Sequence, residues 1–287
     1  MSPTRLSLFD LKEGNVLLDA HRIVAPHREN GMSAAFEVED VESGAPGELQ
    51  AFPSSLFEGP GQAESFAQSL LGWRDLHSEA VAELRSVQVL DDGAVIAVTA
   101  MPEGRMLRDA FGDAGPMPVD AVVALGSSVL DGLESAHGAG LVHGDIKPTT
   151  VFVREDGTAQ LVDAGVTPGL WAAKHLGTRT ALIGTPYYAP LEQFGGDSPD
   201  ERSDLYNLAT VMFELLTGVM PWRGRSYIEV FQSKMQPEAP SMRSVAPDVE
   251  IDRDLEAAIA RALRGKRMER HASAEDFRAA LEAATGA

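Results

Sequence analysis

His143, Asp145 and Lys147 stand close together in the chain, and Asp163 follows after two short apolar runs. A carboxylate beside a lysine suits proton transfer next to negative charge, and a second carboxylate brought near the first suits a divalent cation. The stretch LVHGDIKPTTVFVREDGTAQLVDAG, residues 141–165, supplies the device that brings them near. Asp156-Gly157 between VFV and AQLV is a two-residue hairpin signal, whose turn positions both call for positive φ. Asp145 then lies on a loop before the hairpin and Asp163 on a loop after it.

The flanking sequence must hold these loops. PVDAVVALGSSVLDGLESAHGAG, residues 118–140, has Val122, Leu125, Val129 and Leu133 along one face and Pro118 fit for the first turn, and predicts an amphipathic helix that delivers the chain to His143. Upstream, HRIV (21–24) and SAAFEVED (33–40) read as a hairpin and PGELQAF (46–52) as a third strand. AELRSVQVL and GAVIAVTAM read as two more strands around Asp91-Asp92-Gly93. ESFAQSLLGWRDL, residues 64–76, carries Phe66, Leu70 and Trp73 at helical spacing. Downstream, SYIEVFQSKM predicts a short, partly exposed helix, and DLEAAIARALRG and SAEDFRAALEAA predict two more, the last opened by Ser273 and Asp276 in a capping-box variant.

With 287 residues, 44% of them apolar, the chain can bury a sizeable core. There are no cysteines, which excludes a disulfide framework and a thiolate metal site. The formal net charge of −19 argues against nucleic acid and anionic membranes as partners. No apolar run is long enough to span a bilayer and the first residues lack the core of a signal peptide, so the expectation is a cytoplasmic protein.

HGDIKPTT and DAG resemble the catalytic and metal-binding loops of the eukaryotic-type Ser/Thr protein kinases, HRDxKxxN followed by DFG. GTPYYAPLEQ (184–193) looks like the end of that family's activation segment and RSDLYNLATVMFELLTG (202–218) like its buried central helix. The resemblance implies an α+β, bilobal protein-kinase-like fold, with a small antiparallel β lobe bearing one regulatory helix and a larger, mainly α lobe. The whole chain would form one such domain, divided into residues 1–100, a hinge at 101–106 and residues 107–287. It further implies that Asp145 orients a substrate hydroxyl and accepts its proton, that Lys147 stabilises the transferring phosphoryl group, and that Asp163 holds Mg²⁺. Thr185 would bridge Asp145 and Lys147, and the segment from Tyr187 to Pro190 would dock substrate. Glu192 would pair with Arg270, Asp204 would hold the loop of His143 from below, and Thr99 and Met101 would line the nucleotide site.

Other matching positions depart from the pattern. Arg28, Asn30 and Ser33 stand at the three glycines of the phosphate loop, and Gln50 stands at the phosphate-binding lysine. A Cβ at the glycine positions closes the cradle, and a neutral amide replaces a fixed positive charge. Lys12 is the sole lysine before Lys147. Arg28 would be a solvated loop residue or a substitute cation. Ser69, or Glu64 little more than a turn upstream, falls at the glutamate that pairs with the lysine. Thr150 replaces the second metal ligand, Ala164 the phenylalanine of DFG, and Gly144 the arginine of HRD; without that arginine, phosphorylation of Thr178 or Thr180 could not order the loop through it. Losing one preorganised donor costs roughly 10²- to 10³-fold in rate.

The sequence therefore points to a pseudokinase, a signalling scaffold or allosteric regulator. Asp145 and Lys147 would be vestigial or structural, ATP and Mg²⁺ would be held weakly or not at all, and the partner would be a protein, such as a kinase or its substrate. An atypical active Ser/Thr kinase and an ATP-binding nucleotide sensor stand as the alternatives.

Overall fold

The computed structural model describes residues 11–29, 31–112, 115–174, 186–236 and 238–286. Asn30, Thr178, Thr180 and Thr185 lie outside the described residues. The chain divides into two compact units. One holds the chain up to Ser78 together with Ala82–Pro102 and Ala172–Lys174, and the other holds Glu79–Val81, Glu103–Trp171 and the remainder.

The first unit is built on a six-stranded antiparallel sheet of order β1-β2-β3-β4-β6-β5, comprising β1 (Val16–Leu17), β2 (His21–Glu29), β3 (Ala34–Asp40), β4 (Pro46–Phe52), β5 (Leu84–Val89) and β6 (Val95–Ala100). Side chains alternate across a strand, so the sheet has two distinct faces. Ile23, Phe36, Val38, Leu49, Ala51, Ile96 and Val98 form an apolar core on one of them. Phe52 turns to the other and meets Phe66 of α1 (Pro60–Leu71) edge-on at 4.9 Å between ring centres. The helix expected over 64–76 starts earlier and ends earlier. Pro60 fits its first turn, where no N–H partner is needed, and the chain leaves the helix at Gly72, with Trp73 buried beyond its end.

The second unit is mainly helical. Its centre is α6 (Glu201–Thr217), buried nearly all round and opened by a reciprocal capping box between Asp200 and Ser203. Gly218 closes it at φ 71°. Against it packs α3 (Val119–Gly138), with Val122, Leu125, Val129 and Leu133 inward and Pro118 at the cap rather than in the first turn. The two late helices, Arg253–Ala262 and Ala274–Thr285, complete the bundle, and Arg278 of the second reaches Asp131 and Glu134 of α3.

A three-stranded sheet of Arg105–Met106, Val151–Val153 and Ala159–Leu161 carries the hairpin. Its turn is not the two-residue form expected. Arg154 N donates to Thr158 O at 2.9 Å and Gly157 N to Arg154 O at 3.0 Å, leaving a three-residue loop in which Gly157 alone has positive φ, 84°. Asp156 needs no unusual backbone, because its Oδ1 accepts from Thr158 N at 2.9 Å and Thr158 Oγ1 at 2.7 Å. The architecture is thus α+β, with a curled antiparallel unit and a helical one.

Candidate functional site

In the helical unit, Asp204 in the first turn of α6 is fully buried and sits beneath the loop that follows α3. Its Oδ1 accepts from Gly144 N at 2.7 Å and its Oδ2 from His143 N at 2.9 Å, with His137 Nε2 at 3.0 Å. Hydrogen bonds to an ionised acceptor are about twice as strong as neutral ones, and this carboxylate fixes two successive amides. His143 extends the network. Val162 O can only accept from its Nε2, at 3.0 Å, and Asp145 N donates to its Nδ1 at 3.3 Å, so the ring carries its proton on Nε2. The residue just before Asp163 is thereby tied to the loop of Asp145.

Lys147 Nζ meets Asp145 Oδ2 at 2.5 Å, and both side chains are largely buried. Thr150 serves the same loop. Its Oγ1 donates to Asp145 O at 2.8 Å and accepts from Lys147 N at 3.1 Å, so its proton and one lone pair are engaged with backbone. Asp163 has φ 62°, a left-handed conformation that aspartate tolerates better than most residues.

Gly144 has a stronger reason for being glycine than the sequence reading assigns it. Its φ is 82°, and a Cβ there would lie 2.6 Å from Pro168 Cδ and 3.1 Å from Pro199 Cγ. Pro168 belongs to α4 (Val166–Ala173), a helix that begins three residues after Asp163 and that TPG in its sequence hides. The missing arginine is therefore linked to a close approach of the two segments.

In the sheet unit, β4 brings Gln50 and Glu48 to the same face, opposite the apolar core that holds Leu49 and Ala51. Arg28 at the end of β2 is neither solvated nor in a loop. Its Nε donates to Glu48 Oε2 at 2.7 Å and its Nη2 to Glu48 Oε1 at 2.5 Å, with side-chain exposures of 5% and 3%. His27 Nδ1 joins the same carboxylate at 2.7 Å. Gln50 and Ser33 are buried, Thr99 lies opposite Glu48 in the ladder with β6, and Met101 is half-buried just beyond it. On α1, Ser69 is half-buried while Glu64 is exposed, so the upstream glutamate is not the one turned inward.

Glu192 and Arg270 form a bidentate pair at 2.6 and 2.8 Å. Burial pushes the Glu192 carboxyl up, but the hydrogen bonds and charge of Arg270, aided by Arg267, hold it below its ordinary value. Arg270 spends its remaining donors on Arg264 O, Arg202 O and Gly265 O. Tyr187 nearby is exposed. The sequence reading did not single out Glu48, His27 or Lys234. An acidic residue in a strand and a lysine on a short helix carry no signal of burial by themselves.

The fold is that of the protein kinases: the crystal structure of the kinase domain of Mycobacterium tuberculosis PknI superposes with a TM-score of 0.73 at 21% identity, over 95% of this chain and 98% of that one. The protein kinase domain model matches residues 63–279. Serine/threonine-protein kinase PknL of Mycobacterium tuberculosis is 33% identical over 243 residues, 82% of this chain and 59% of that protein. Serine/threonine-protein kinase pkn3 of Myxococcus xanthus is 32% identical over 210 residues, 69% of this chain and 38% of that protein. The chain belongs to the protein kinase family. It spans less than two thirds of the length of these curated relatives.

Kinases of this family use ATP and Mg²⁺. The residues here do not fit that pair well. On the register of the resemblance Gln50 would offer a dipole where the family's lysine meets phosphate; Arg28 is paired with a carboxylate, and Thr150 directs its hydroxyl proton to backbone. No group of three His, Asp or Glu side chains among the described residues is placed to hold a metal ion. No described helix is long and apolar enough to cross a membrane.

Proposed function

We propose that this chain is a pseudokinase-type member of its family, a regulator or scaffold that works on a protein partner by contact, with ATP and Mg²⁺ held weakly or not at all. The observation that carries this reading is the pairing of Arg28 with Glu48 on the strand face that also bears Gln50. A triphosphate needs positive charge. This face presents a neutral amide and a guanidinium that gives one bidentate edge, Nε and Nη2, to a buried carboxylate, so its charge is already offset before an anion arrives. The helical unit, by contrast, keeps its internal architecture, including the Asp204 network and the Glu192–Arg270 pair.

A second reading, phosphotransfer by an atypical Ser/Thr kinase, is favoured by the Asp145–Lys147 pair and by the names of the relatives, which are serine/threonine-protein kinases. A nucleotide sensor that binds ATP without turning it over lies between the two. Thermal unfolding with millimolar ATP, with and without Mg²⁺ or Mn²⁺, separates them, because a ligand that prefers the folded state must raise the midpoint. An unchanged midpoint is the outcome expected of the regulator. A raised midpoint together with radiolabel transfer from ATP that disappears in Asp145→Asn identifies the kinase, and a raised midpoint without transfer identifies the sensor.

A further inference from the structure

Three successive carbonyls of the segment before Glu192 are held from below. Lys234, at the end of α7 (Tyr227–Lys234), donates from Nζ to Tyr187 O at 2.8 Å and to Ala189 O at 2.7 Å. Asn207 of α6 takes the carbonyl between them, donating from Nδ2 to Tyr188 O at 2.9 Å. The Tyr188 hydroxyl then donates to Glu214 Oε2 at 2.7 Å. Between these tethers Tyr187 is left 38% exposed.

Lys234 is an unusual lysine, being only 1% exposed. Its Nζ lies 5.1 Å from the centre of the Tyr206 ring and 5.8 Å from that of Phe194. Two buried cations, Lys234 and Arg270, share the neighbourhood of one buried carboxylate, Glu192, and the bidentate bonds of that carboxylate go to Arg270. The ammonium is therefore satisfied by aromatic faces and by the two carbonyls. Burial pushes its pKa well down, while Glu192 works the other way and Arg270 adds to the lowering. Either protonation state has enough N–H groups for two carbonyls, so the tether does not depend on the charge.

We propose that Lys234 is a positioning residue. Through it α7 sets the backbone of Tyr187–Ala189, and a partner that displaces α7 also displaces the exposed Tyr187. That the segment faces a protein partner rests on the proposed function; that Lys234 holds it does not. The chain has four tyrosines, at 187, 188, 206 and 227, so 3-fluorotyrosine gives a four-resonance spectrum assignable by Tyr→Phe substitution.

The test compares Lys234→Met, which keeps the length of the side chain and removes its donors, with Leu281→Ala, which truncates a fully buried residue of the last helix, Ala274–Thr285. Both are made in the full chain and read by fluorine resonances, by chymotryptic cleavage mapped by mass, and by urea unfolding. Lys234→Met should raise cleavage after Tyr187 or Tyr188 by about tenfold or more through local opening, and shift the resonances of both. Leu281→Ala, at a comparable loss of global stability, should leave the cleavage and those two resonances near wild type. Equal effects of the two variants, or no effect of Lys234→Met, would overturn the proposal. If Lys234→Met does not fold, Lys234→Gln, which keeps amide donors on a shorter stem, is read against Leu281→Ala by the same criteria. These readouts need no nucleotide, so a negative result leaves the regulator reading standing, and discovery of kinase activity leaves the Lys234 assignment standing.

Discussion

Arg28 and Glu48 face each other within the sheet unit, the Nε–Nη2 edge of the guanidinium bonded to both oxygens of the carboxylate at 2.7 and 2.5 Å. A pair this deeply buried is held by geometry more than by net gain, because each ion gives up its hydration. Removing one member leaves the other uncompensated. Glu48→Gln should cost about 3–5 kcal/mol of stability, whereas Arg28→Met with Glu48→Leu should recover most of that loss. Urea unfolding of the two variants and wild type checks both statements, and a double variant as unstable as the single one would contradict the account.

Gly144 carries a backbone with φ 82° and has Pro168 against it. Restoring the family's arginine at this position should therefore destabilise the chain. A non-glycine residue in this conformation costs about 1–3 kcal/mol before the contact with Pro168 is counted. Gly144→Ala should be milder than Gly144→Arg, and Pro168→Ala should relieve part of either. Chemical denaturation of the four variants orders them.

Asp204 accepts from the amides of His143 and Gly144 and from His137. Asp204→Ala strands these donors in the core, and hydrogen bonds to a charged group contribute about 1.5–3 kcal/mol each. The expected loss is several kcal/mol, with faster hydrogen exchange at residues 143–145 than at the rest of the helical unit. Loss of stability without that local exchange would assign Asp204 a different role.

Glu192 gives the chain a pH dependence of definite sign. Its folded pKa lies below the ordinary 4.5, so the stability it contributes is fully present above the unfolded value and is lost as pH falls through the folded one. Wild type should exceed Glu192→Gln in urea stability by about 3–5 kcal/mol at neutral pH. The gap should narrow progressively below roughly pH 4.5. A gap that grows on acidification would reverse the assignment.

Much of the fold was legible because the signals were local. The β2–β3 hairpin and α3 follow from alternation and helical spacing, and the last helix opens at the expected cap, Ser273. The turn at Asp156-Gly157 was misread because a side-chain cap on Thr158 makes one positive φ sufficient. The Pro168-containing helix was hidden by TPG, residues that ordinarily mark a loop. Pairing at a distance was legible only where a family motif marks it, as for Glu192 and Arg270, and not elsewhere. Arg28 and Glu48 are 20 residues apart, and Lys234 is 45 or more from the carbonyls it holds. A charged residue buried by such a partner has the same letter as one left in solvent.

Gln50 and the Arg28–Glu48 pair leave this face of the sheet unit, among the described residues, without an uncompensated cation for a triphosphate. Calorimetric titration of ATP with Mg²⁺ into wild type and into Gln50→Lys with Glu48→Ala tests it most directly. We predict no binding heat for wild type at millimolar nucleotide and measurable binding for the double variant, which restores one cation and releases another. Saturable micromolar binding to wild type, undiminished by Arg28→Met, would contradict it.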